Sequence, residues 1–277
     1  MHVHEKIDIP VIDAFIKKFA EKYLEQRSQA LFDYTAINES ALFNNLGFGT
    51  DALKQIITKN AIPVDLKREK GLQPAILNDI YRSDLGELLM TYYFEEKLPE
   101  GERFVIPIKN ITFRERAELP GRGLDAIGYK KTSDEKVEIL LGEAKVSMDK
   151  KTPPPVVDAN EDSIYKTQLK HKNEVPIVIQ RLSDYARRLN VKDAEIIGFA
   201  IVCLQHNFSD KIGITYGCTL IRDYNCVNEN TDFGKMKTNQ AEFEPHRVHF
   251  SILSFSDKSI SETVDLFYNK VQELIAN

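Results

Sequence analysis

Two short apolar segments joined by a charged turn constrain this chain more than any other feature. Gly123-Leu124-Asp125-Ala126-Ile127-Gly128 is followed, after Lys131-Thr132-Ser133-Asp134-Glu135-Lys136, by Ile139-Leu140-Leu141-Gly142-Glu143-Ala144-Lys145. The polar turn between apolar runs predicts a hairpin of residues 124 to 130 and 137 to 147. Side chains two apart on a strand leave by the same face, so Glu143 and Lys145 point together. Asp125 sits in an apolar segment where solvation gives no easy reason for a charge, and the hairpin brings it towards Glu143. The chain must therefore fold so that two carboxylates and an ammonium meet at a strand end.

The surrounding pattern is mixed. Pro10 opens a helix over residues 10 to 29, and Asp51 is a suitable N-cap for a second helix reaching about Lys59. Residues 30 to 49 are irregular, and Pro63 and Gly71-Leu72-Gln73-Pro74 interrupt further helix. A stronger pattern begins near residue 78. We therefore divide the chain into an N-terminal helical and irregular extension, 1–77, and a main domain, 78–277. In the main domain, residues 78 to 97 read as a helix with Ile80, Leu85, Leu88, Leu89, Tyr92 and Tyr93 mainly on one side. Arg103 to Phe113 reads as a strand. Residues 163 to 189 read as two helices separated at Pro176. The short apolar run from Glu195 to Gln205 reads as a buried strand. Residues 207 to 242, rich in turn residues, read as loop. Arg247 to Ser254 reads as a last strand and Ser259 to Ala276 as a closing amphipathic helix. This order predicts an α/β fold with a mixed central sheet flanked by helices.

Composition removes several classes. The formal net charge is -5, which argues against a protein that coats DNA unaided. Cys203, Cys218 and Cys226 form no Cys-x-x-Cys pair, so a disulfide framework and a zinc site are both poorly supported. The polar start carries no apolar signal core, and no run approaches the roughly 20 apolar residues of a membrane span. A cytoplasmic protein is expected. No Walker A motif, Gly-x-Gly-x-x-Gly or Gly-x-Ser-x-Gly is present. His246 and His249 would point to opposite faces of a strand and are read as structural.

The charged trio suits phosphodiester hydrolysis, which needs a cation beside the phosphate, an activated water and charge relief on the leaving oxygen. Asp125 and Glu143 supply two carboxylate oxygens, and the Ala144 carbonyl between Glu143 and Lys145 offers a third. Glu87 on the preceding helix offers a fourth, or a grip on a water beside the cation. Oxygen ligands of this kind suit Mg2+, with Mn2+ as an alternative. Lys145 is placed to hold the attacking water or to stabilise developing charge. Burial lowers its pKa and neighbouring carboxylates raise it, and the sequence leaves that balance open.

Gly86-Glu87 on a helix, Asp125 on the next hairpin strand and Glu143-Ala144-Lys145 resemble the PD-(D/E)xK nuclease superfamily, the restriction-endonuclease-like fold. The literal Pro-Asp is absent, since Leu124 precedes Asp125. More narrowly, Gly86-Glu87-Leu88-Leu89, Arg122-Gly123-Leu124-Asp125-Ala126-Ile127-Gly128 and Leu141-Gly142-Glu143-Ala144-Lys145 look like HamA, the nuclease subunit family of the Hachiman anti-phage defence system. The resemblance runs over about residues 78 to 275. It implies a restriction-endonuclease-like core and a metal-dependent DNase partnered by a superfamily 2 helicase, HamB, which delivers the DNA and restrains the nuclease until triggered. It maps the metal ligands onto Asp125 and Glu143, the catalytic lysine onto Lys145 and the helix glutamate onto Glu87.

Further candidates carry weaker signals. Arg122, between two glycines, is placed to reach a substrate phosphate, although an idle turn arginine fits equally well. Lys166, Lys170, Lys172, Arg181, Arg187 and Arg188 can contact phosphates, but a solvated helix face explains such a run more simply. Gln168 resembles the polar helix residue that related nucleases place near the metal. Two rival functions remain. One is a nuclease-like fold kept as a binding or assembly subunit without activity. The other is a carboxylate-pair glycosidase, disfavoured because the chain has no Trp to line a sugar groove.

Overall fold

The computed structural model describes residues 1–28, 47, 49–62, 77–112, 123–133 and 135–276. Six strands form one mixed sheet: β1 (Val3–Ile9), β2 (Val105–Lys109), β3 (Ala126–Ser133), β4 (Lys136–Ser147), β5 (Ile212–Arg222) and β6 (Arg247–Phe255). Their order across the sheet is β1-β6-β5-β4-β3-β2. β2, β3 and β4 are antiparallel neighbours, whereas β4, β5, β6 and β1 run parallel.

Helices cover both faces. On one side lie α1 (Asp13–Ser28), α3 (Leu77–Tyr92) and the closing α7 (Ile260–Ala276), packed around Phe19, Tyr23, Leu88, Phe94 and Phe267. α2 (Thr50–Ala61) lies beside α1 and α7 and buries none of its residues. On the other side α4 (Ile164–Asn173), α5 (Val175–Ala186) and α6 (Val191–Gln205) close a second core around Ile139, Leu141, Leu182, Ile197 and Phe250. The expected mixed sheet flanked by helices is the observed architecture.

The hairpin is present, with pairs running from Ala126↔Gly142 to Ser133↔Lys136. The helix expected over residues 78 to 97 is α3 extended by a π-helical turn, Tyr93–Lys97. Four local expectations are corrected. Glu195–Gln205 is not a strand but most of helix α6. An apolar run without period fits either state, and here the Asn190 side chain caps the helix by accepting the Asp193 amide at 3.0 Å. The central strand β5 falls instead inside the supposed loop 207–242. Its large residues Ile212, Ile214, Tyr216, Cys218 and Leu220 alternate with Gly213, Thr215, Gly217 and Thr219, so it reads as turn-rich. Gly217 answers to packing: a Cβ there would stand 2.5 Å from Leu140 Cδ1 and 3.0 Å from Phe94 Cζ. β2 stops at Lys109 and gives way to a 3-10 turn, Asn110–Thr112, while Phe113 lies outside the described residues. α2 is preceded by Gly49 as its N-cap, and Asp51 sits within the first turn.

The sequence reading also contains no strand before residue 10. β1 nevertheless extends the sheet, pairing from Val3↔His249 to Ile9↔Phe255. A polar edge strand has little periodic signal of its own and forms because β6 offers it a partner from the other end of the chain. The irregular stretch expected over 30 to 49 and the breaks at Pro63 and Gly71 to Pro74 lie almost wholly outside the described residues.

Candidate active site

β4 outlasts its partner. Its pairing with β3 ends at Ala126↔Gly142, while its pairing with β5 continues to Ser147↔Arg222. Residues 143 to 147 therefore keep one strand edge clear of β3. Asp125, just before β3 rather than within it, occupies the start of that edge. Its backbone N–H donates to Gly142 O at 3.2 Å, its carbonyl accepts from Asn110 N at 2.8 Å, and its carboxylate Oδ2 accepts from Ala144 N at 2.7 Å. The carboxylate thus replaces the missing strand partner and is fixed against Glu143 and Lys145.

Helix α3 closes the space from the other face. A Cβ on Gly86 would meet Val146 Cγ2 at 2.7 Å, so the bare glycine allows the helix to lie against β4. That approach brings Glu87, buried in the structure, to the strand end. Glu87, Asp125, Glu143, Ala144 and Lys145 all line one cavity of about 550 Å3. The sequence placed these five together, and the fold does the same.

Glu143 is 5 % exposed, and its Oε2 has no hydrogen-bond partner. Burial, with the Asp125 charge as a second cause, pushes its pKa well above the ordinary carboxylate value, against the opposing pull of Lys145. Lys145 Nζ lies 3.5 Å from Glu143 Oε1 and 2.8 Å from Asp162 Oδ1. Burial disfavours the ammonium, but Glu143 and Asp162 outweigh it and the Lys145 pKa is raised. The balance left open by the sequence is therefore settled in favour of a charged lysine.

A divalent cation fits this donor set. An unpartnered buried carboxylate oxygen on Glu143 and an oriented Asp125 carboxylate are hard oxygen donors. Among the described residues no three His, Cys, Asp or Glu side chains form a metal cluster by themselves. A cation held here needs backbone oxygen and water to complete its shell, as Mg2+ commonly does.

The remaining candidates are dispersed. Lys170 lines the cavity, but Lys166 is exposed and its charge acts on Glu242 instead. Gln168 is fully buried, and its amide donates to Leu141 O at 2.9 Å and Gly217 O at 3.1 Å, so it ties α4 to β4 and β5. Arg122 lies outside the described residues.

The cavity also holds residues that the sequence reading did not place there. Asp79, Arg82 and Ser83 precede Glu87 on the same face of α3, at helical spacing that could have revealed them. Arg82 Nη2 pairs with Asp79 Oδ1 at 2.6 Å. Asp162, in the left-handed region at φ 45°, stands just before the α4 cap Ser163. His171 and Arg181, from successive helices, meet at 3.1 Å between Nε2 and Nη1. No linear signal joins those two residues.

His171 gives a pH prediction. Burial, then the charges of Arg181 and Lys170, lowers its pKa from 6.5 to about 4. The unfolded chain then takes up this proton more readily than the folded one. The stabilisation it gives is complete above pH 6.5 and is lost as pH falls towards 4, by up to roughly 3 kcal/mol. Urea unfolding at pH 7.5 and pH 5 should show a smaller acid loss in His171→Gln than in the parent protein. An equal loss in both would refute the assignment.

The sequence profile of the HamA family matches residues 10–271. No curated protein and no solved structure matches the chain. A match over nearly the whole length agrees with the motif strings around Glu87, Asp125 and Glu143, and the chain belongs to the HamA family.

Proposed function

We propose that this chain is a metal-dependent DNA endonuclease, the effector subunit of a Hachiman-type anti-phage defence complex. The observation that carries the reading is the meeting of Asp125, Glu143 and Lys145 in one polar cavity, with a buried Glu143 oxygen left unpartnered. Mg2+ or Mn2+, bound there, would polarise the scissile phosphate and lower the pKa of a water. Asp125 and Glu143 would hold it, with the Ala144 carbonyl and Glu87 as further oxygen donors. Lys145, kept charged by Glu143 and Asp162, would act as a donor: it orients the attacking water or stabilises the charge growing on the phosphate. Asp162 lies outside the ligand set and acts by holding the ammonium in place.

The partner we infer is a superfamily 2 helicase of the HamB kind. The net charge of -5 supports delivery of DNA by a partner rather than unaided coating. A cytoplasmic site of action follows from this role. Among the described residues no helix is long and apolar enough to cross a membrane.

The test is incubation of supercoiled and linear DNA with the chain alone and with its helicase, in Mg2+, in Mn2+ and in EDTA. The expected result is nicking or cutting that EDTA stops. Inactivity of both the chain and the assembled complex would favour the rival reading, a binding subunit without catalysis.

A further inference from the structure

The cavity contains four cations from the described residues, and three of them are accounted for. Lys145 pairs with Glu143 and Asp162, Arg82 pairs with Asp79, and Lys170 is exposed at the rim. Arg181 differs. It is half-buried, and among the described residues it forms no ion pair and its Nε and Nη2 make no hydrogen bond. A half-buried guanidinium without a carboxylate is costly unless something anionic completes it.

Two contacts hold it in place. Nη1 donates to Nε2 of His171, which is 4 % exposed. The guanidinium also lies over Gly123, where a Cβ would stand 3.4 Å from Cζ, 3.6 Å from Nη1 and 3.7 Å from Nε. Gly123 is at φ +104°, a conformation glycine adopts readily, and it leads directly into Leu124 and Asp125. The turn that leads into Asp125 therefore also packs against the guanidinium, and both residues line the same cavity. A neutral imidazole can accept from Arg181 without neutralising it, and a carboxylate in the same place would neutralise it. The low basicity of His171 keeps the imidazole an acceptor at neutral pH.

We propose that Arg181 is a substrate-binding residue that grips a DNA backbone phosphate next to the Asp125–Glu143 pair, and that His171 is the positioning residue that aims it. This rests on the nuclease reading above and assigns the phosphate contact expected of Arg122 to a residue from another helix.

The test separates the two claims by measuring binding without cleavage. A fluorescent DNA duplex is titrated in EDTA with full-length protein carrying Glu143→Gln, at several salt concentrations. Arg181→Ala should weaken binding about tenfold. It should also reduce the slope of log affinity against log salt by about 0.9, the loss of one phosphate contact. Arg181→Lys should keep the slope. His171→Leu should weaken binding, whereas His171→Gln, which keeps an acceptor near the same position, should restore it. A purely structural role for either residue would lower thermal stability and leave the salt slope unchanged. An unchanged slope in Arg181→Ala, equal affinities for His171→Leu and His171→Gln, or no binding by the starting protein either alone or with its helicase each overturns the proposal. A reduced slope in Arg181→Ala alongside inactivity of both the chain and its helicase complex would instead sink the nuclease reading and leave the phosphate grip standing.

Discussion

Glu143→Gln is expected to remove metal-dependent DNA cleavage while leaving the protein at least as stable as the parent. The two effects have one cause. Glu143 is buried with an unpartnered Oε2 and a pKa pushed up by burial and by Asp125, so its charged form is a burden on the folded state. The amide has nearly the same volume and no charge, which relieves that burden. It also makes a much poorer ligand for a hard cation. Metal-assisted charge stabilisation supplies several kcal/mol, so cleavage should fall on the order of 10^3-fold. Lys145→Ala should fall comparably by another route, since it removes the donor and not the cation site. Plasmid cleavage beside a thermal melt tests both. Clean variants that still cut at near-parental rates would refute the site, whereas loss of cleavage with a collapsed melting temperature would mark Glu143 as structural.

Arg222→Ala should carry the largest stability cost among single substitutions away from the cavity. The guanidinium is fully buried at the end of β5, as is its partner Asp232, with Nε to Oδ2 at 3.1 Å. It also donates to Lys151 O at 2.7 Å, to Ser147 Oγ at 3.4 Å and to Asp149 O. One side chain thus holds the turn after β4 against the segment after β5. Removing it leaves a buried carboxylate without its cation and two carbonyls without this donor, at a cost of about 3–5 kcal/mol. Because burial itself penalises the pair, Arg222→Met with Asp232→Leu should recover much of that loss. Urea unfolding of the single and double variants decides it. A double variant no more stable than the single would show that the backbone contacts, and not the ion pair, carry the effect.

Local pattern was enough for much of the fold. The hairpin, α3, β6 and α7 each carry a period or a turn that is visible along the chain. Errors arose where the apolar pattern along the chain did not report burial: β5 is buried on both faces, whereas α6 leaves Phe199 and Val202 exposed beside its buried Ile197 and Ala200. α6 shows no clear helical period along its apolar residues, and β5 alternates large residues with glycines and threonines, of which Gly217 is required by Leu140 and Phe94 on neighbouring elements. β1 is polar and short, and it is set by β6 from the far end of the sequence.

The candidate site divides the same way. Asp125, Glu143 and Lys145 come together through one hairpin, and Glu87 joins them from a neighbouring helix, so their relation follows from strand period and a single turn. The sequence by itself determined these carboxylates, the lysine and the mixed sheet that carries them. Only the tertiary structure decided that the Lys145 pKa is raised against its burial, by Glu143 first and then by Asp162, which reaches it from the turn before α4. Only it decided that Gln168 is turned inwards and that Arg181, with His171, faces the cavity. These outcomes depend on helices packing across the sheet. Contacts between elements far apart in the chain leave no period in the sequence, since they are fixed by shape and burial after the elements have formed.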